Sequence, residues 1–143
     1  MSTSPTSSKR QESDRITGDE DLLRAITTAH YDAKKGRTTS ALFRGRDISV
    51  SRPSILPVER IEEIFIRTLP RPEKDPPIAY FGFARVETTT LRSLGEEYDA
   101  AEAMTVWAAP LPENEAHAEV AGDITRGLSK KILGQSEIVL RRL

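Results

Sequence analysis

Apolar residues fall in short groups along this chain, and their spacing sets the elements to expect. Residues 1–16 offer one Met and one Ile among Ser, Thr, Pro and charge. That is too little apolar surface to offset the entropy of ordering, so a disordered tail is expected there, followed by one domain over 17–143. Leu22, Leu23 and Ile26, followed by His30, fit a helical period behind the capping residue Thr17 and the acids Asp19 and Glu20. They predict a helix over 19–29, broken by 34–37. Beyond Gly36 the chain reads as extended. After a turn at 44–47, Ile48 and Val50 alternate with polar residues over 46–52, the pattern of a half-buried strand, and Pro53 ends it.

Val58, Ile61, Ile64, Phe65 and Leu69 make one apolar stripe. Pro57 suits the first turn, Glu59, Glu62 and Glu63 favour the positive end of the helix dipole, and Pro70 stops the helix. The Pro-rich stretch 70–77 is a connector of fixed φ. Tyr80, Phe81, Phe83 and Val86 mark 78–94 as the longest strand-like region, with Gly82 signalling a bulge or a close backbone approach. A turn or short helix is expected over 96–103, a strand over 104–109 and a polar loop over 111–123. Ile124, Leu128 and Ile132 predict a helix over 124–133, capped by Asp123 and closed by Gly134, with room for a last strand after it. The sum is an α+β fold: a small, mostly antiparallel sheet of about three to five strands, with about three helices on one of its faces.

Composition narrows the function classes. A chain of 143 residues can bury roughly 68% of its unfolded surface without a staple. It has no Cys, which removes disulfides, thiolate metal sites and Cys catalysis and fits a cytoplasmic location. Lys and Arg number 21 against 22 Asp and Glu, with the signs interspersed. Nucleic-acid binders usually carry a basic excess, so such a partner is disfavoured. No apolar run is long enough to span a bilayer, so no membrane partner is expected, and no apolar leader stands at the start.

Two stretches hold polar residues beyond what solvation requires. The first runs from His30 to Arg46. His30 is an acid/base candidate, and Lys34, Lys35, Arg37, Ser40 and Arg44 are candidates to hold an anionic ligand. The second holds His117, the other of the two histidines. Two histidines in one cleft could serve as general acid and base on a phosphate-containing substrate such as a nucleotide or RNA. Glu115, His117 and Glu119 share a face if the segment is a strand, and could then offer a divalent cation oxygen and nitrogen ligands. On a loop that coincidence vanishes. Neither GxxxxGK[ST] nor GxGxxG occurs, and no cofactor is expected.

Thr39-Ser40-Ala41-Leu42-Phe43 leading to Ser49-Val50, together with Asn114-Glu115-Ala116-His117-Ala118-Glu119-Val120, resembles elements of a loose group of small bacterial proteins of unknown function. The resemblance implies only that Arg37, Ser40, Phe43 and His117 are the first positions to test. The expectation is therefore a non-catalytic accessory or partner-binding domain of a bacterial cytoplasmic system, whose partner is another protein. The alternative is a small hydrolase or transferase using His117, His30 or both.

Overall fold

In the computed structural model, which describes residues 10–98 and 104–141, a six-stranded antiparallel sheet runs in the order β6-β7-β4-β1-β5-β8. The strands are β1 (Asp21–Thr27), β4 (Gly45–Ser51), β5 (Tyr80–Glu87), β6 (Val106–Ala108), β7 (His117–Ile124) and β8 (Glu137–Leu140). A separate hairpin pairs β2 (Tyr31–Asp32) with β3 (Arg37–Thr38). The α+β class holds, while the sheet is larger than expected because β1 and β7 run through stretches expected as a helix and as a loop.

The helices α1 (Val58–Thr68), α2 (Thr88–Glu97) and α3 (Arg126–Gly134) cover both faces of the sheet, not one. Ile61 and Phe65 of α1 join Leu23, Tyr80 and Phe83 in one core. Leu91 and Leu94 of α2, with Leu128 and Ile132 of α3, join Leu22, Ile26, Val50, Val86 and Val120 in the other. Burial on both faces explains why 19–29 is not a helix. Leu22 and Ile26 point to one core and Leu23 to the other, so β1 carries apolar residues on both faces and shows no clean alternation. Only its end, Thr28–His30, turns helical, as a 3-10 turn.

Four further expectations change. Thr88 starts α2 instead of prolonging a strand: its hydroxyl donates to Gly18 O at 2.9 Å and accepts from Glu20 N at 3.0 Å. Thr125, not Asp123, caps α3 by accepting from Leu128 N. The stretch 111–123 is a loop only as far as Ala116, after which β7 begins. Residues 99–103, the rest of the turn expected over 96–103, lie outside the described residues. So do residues 1–9. Residues 10–16, expected in the tail, pack on the sheet: Ile16 is buried, its N–H donates to Val106 O at 2.8 Å, and Arg15 bridges to Trp107.

Gly82 answers both meanings of its signal. Ile26 faces Gly82 while Thr27 faces Tyr80, so Phe81 bulges out of register. That places Tyr80 and Phe83, three apart in sequence, in the same core. A Cβ on Gly82 would lie 2.1 Å from Val139 O of β8.

Candidate functional site

The sheet is not continuous at its centre. β1 and β4 pair at one register position, Leu23 opposite Ser51, while each pairs over several positions with its other neighbour. Arg24 fills the seam. Its Nε donates to Leu42 O and its Nη1 to Ser49 O, both at 2.9 Å, so its guanidinium takes the place of missing strand partners. Burial draws its pKa down to about 10, which leaves it charged at neutral pH.

A cleft of about 300 Å³ opens over this seam, walled by Ile64 and Phe65 of α1 and by Leu69 just past its end, and bounded by the loop 111–114. His30 and His117 both line it. The structure thus brings the two candidate acid/base residues to one cleft.

The two imidazoles differ in what their surroundings permit. His30 Nδ1 accepts from the backbone N–H of Thr27 at 3.3 Å, which puts its proton on Nε2. Burial, helped by the Arg24 charge, pushes its pKa down to about 4. His30 is a neutral donor at physiological pH. In His117, Nδ1 lies 2.7 Å from Ala109 O, an acceptor only, so that nitrogen carries the proton. Its Nε2 lies 3.1 Å from Ser49 Oγ and accepts the hydroxyl proton. A serine, a histidine and an orienting carbonyl thus stand in a row, and Ser49 is exposed at the cleft surface. That row has the geometry of a nucleophile facing its base.

Beside it, buried Ser51 accepts from Asn114 Nδ2 at 3.0 Å, and Asn114 Oδ1 accepts from Ala116 N at 3.0 Å. This links the loop to β4 and fixes the end of the cleft.

No family model, curated protein or solved structure matches this chain. The two short elements resembling bacterial proteins therefore assign no family, and the site rests on its geometry alone.

The other candidates lie elsewhere. Lys35, Arg37 and Ser40 line a second cleft of about 410 Å³, together with Arg126 and Lys130. Lys34 and Arg44 are exposed and line neither cleft. Phe43 is a core residue. Glu115, His117 and Glu119 do not form a ligand set. Glu115 is exposed and precedes β7, and the Glu119 carboxylate is taken by Arg10 at 3.2 Å. Among the described residues no group of three or more His, Asp or Glu is placed to hold a metal ion. No helix among them is long and apolar enough to cross a membrane.

Sequence reasoning missed Ser49 and Arg24. Each carried a signal. Serines flank Val50 on a strand whose polar face would otherwise be charged, and Arg24 interrupts the apolar group Leu22-Leu23-Arg24-Ala25-Ile26.

Proposed function

We propose that this chain is a non-catalytic binding domain of a bacterial cytoplasmic system, and that the cleft between α1 and the β1/β4 seam receives an apolar side chain from a protein partner. The observation that supports this reading is the cleft's combination of an apolar wall with uncharged donors at His30 and Ser49. Ile64, Phe65 and Leu69 offer contact area, while the His30 Nε2–H and the Ser49 hydroxyl can meet a partner's backbone. Among the described residues Arg24 is the one Lys or Arg lining the cleft, and it directs donors to Leu42 O and Ser49 O, so it is poorly placed to hold an anion. A volume of about 300 Å³ matches one or two side chains or a small ring-bearing ligand. With His30 drawn down to about 4, that imidazole is not poised to exchange a proton near neutral pH.

A second reading is favoured by the Ser49–His117–Ala109 O row: hydrolysis of an uncharged ester, with His117 as the base for Ser49. One experiment separates the two. The tagged full chain and its Ser49→Trp variant, which blocks the cleft, are expressed in the native host, and captured proteins are compared by quantitative mass spectrometry. The binding reading expects a stoichiometric partner with wild type and its loss with the variant, while p-nitrophenyl acetate turns over no faster with wild type than with Ser49→Ala. A turnover abolished by both Ser49→Ala and His117→Gln overturns it in favour of the hydrolase.

A further inference from the structure

The second cleft lies apart from the histidines and stands on its own observations. It is built where the β2–β3 hairpin meets α3. Asp32 shapes the hairpin: its Oδ1 accepts from Lys34 N at 3.0 Å and Lys35 N at 3.1 Å, and Gly36 N donates to Asp32 O at 2.8 Å. Gly36 takes φ +65, the left-handed geometry that closes the loop. Buried Ser129 of α3 then donates its hydroxyl to Ser40 O, which holds the 3-10 turn Ser40–Phe43 against that helix. These contacts bring Lys35 and Arg37 from the hairpin and Arg126 and Lys130 from α3 to one cleft.

Among the described residues none of these four cations has an ion-pair partner within 4.0 Å, although seven arginines elsewhere do. The carboxylate in the cleft, Asp32, is engaged by the hairpin's own amides. In a chain whose net charge is −1, this is a concentration of unneutralised positive charge in a concave site. Thr38 gives a second, independent sign. It is 8% exposed, lies where this cleft adjoins the next, and its hydroxyl has no hydrogen-bond partner among the described residues. A buried hydroxyl in that condition is costly unless something bonds to it. The adjoining cleft shares Arg37, Thr38 and Leu133 and continues to Ile138 and Leu140 of β8. A basic half and an apolar half are therefore contiguous.

We propose that this groove binds a nucleotide-sized organophosphate, with its phosphates on Arg37, Arg126, Lys35 and Lys130 and its ring against Leu133, Ile138 and Leu140. The test is a titration of the isotope-labelled full chain followed by amide NMR shifts, with ADP, inorganic pyrophosphate and adenosine as probes. ADP is expected to shift Thr38, Lys130, Leu133 and Ile138 together, and to bind more tightly than pyrophosphate or adenosine. Charge reversal in Arg37→Glu/Arg126→Glu is expected to weaken ADP about tenfold or more, as is Lys130→Glu, which guards against misfolding of the double variant. Rising salt is expected to weaken it further. The proposal is overturned if ADP causes no shift in these residues up to about 10 mM. It is equally overturned if ADP binding is indifferent to both variants, if pyrophosphate binds as tightly as ADP, or if a single-stranded oligonucleotide binds where ADP does not.

Discussion

His30 shows how a side chain that looks poised for proton transfer can be withdrawn from it. The unfolded chain takes up a proton on this histidine below its ordinary pKa of about 6.5. The folded chain, in which burial and Arg24 oppose the charge, takes it up only near 4. Protons therefore favour the unfolded state as pH falls from 6.5 towards 4, and the stability contributed by neutral His30 is lost across that window. NMR titration of the His30 ring should place its midpoint near 4. Denaturation of His30→Gln should lose less stability than wild type between pH 6.5 and 4. A midpoint near 6.5 would contradict the burial that sets the cleft. At Gly82 the constraint is steric: a Cβ would meet backbone, not a flexible side chain, at 2.1 Å. Gly82→Ala should cost about 2 kcal/mol or more in urea denaturation and disturb the amides of Val139 and Leu140.

Among the elements, α1 carries the cleft wall, and its two faces make contrasting predictions. Phe65 is 8% exposed in the core with Leu23 and Tyr80, whereas neighbouring Ile66 is 50% exposed. Phe65→Ala should cost about 3–5 kcal/mol and Ile66→Ala about 0.5 kcal/mol or less, measured by urea denaturation. That helix was legible in sequence because its stripe, acidic first turn and flanking prolines all agree. β1 was not. A spacing of four places two residues on one face of a helix and on one face of a strand alike, so Leu22 and Ile26 suit either. What decides is burial of Leu23 on the opposite face, a property of the whole sheet. The threonines 88–90 favour strand by propensity, and a tertiary tether from Thr88 to Gly18 and Glu20 overrides it. For the site, composition pointed to His117, Lys35, Arg37 and Ser40, but nothing in the order of residues could assign them to two clefts. Ser49 escaped notice because its meaning lies in a diagonal cross-strand neighbour, with Ser51 and not Ser49 standing opposite His117.

At the scale of the whole molecule, the first described residues close the sheet on the side away from β8. Arg10 reaches Asp47 at 3.4 Å and Glu119 at 3.2 Å, and its guanidinium and that of Arg15 lie 5.6 Å and 5.9 Å from the centre of the Trp107 ring. Glu119 is 6% exposed, so removing its partner leaves a nearly buried carboxylate unpaired. Arg10→Ala should cost about 1–3 kcal/mol and alter the emission of Trp107, the protein's sole tryptophan. An unchanged stability and spectrum would mean that this segment does not contribute to the fold. The same scale separates the two clefts: one with an apolar wall under α1, and a basic one between the hairpin and α3.

The central claim, that a partner seats in the cleft under α1, is tested most directly by photo-crosslinking in the native host. A benzophenone side chain is placed at Leu111, on the cleft, or at Ile66, half-exposed on α1 and outside the cleft lining. The account predicts a discrete protein adduct from position 111 and none from position 66. Adducts of equal yield from both positions, or an adduct from 66 alone, would contradict it.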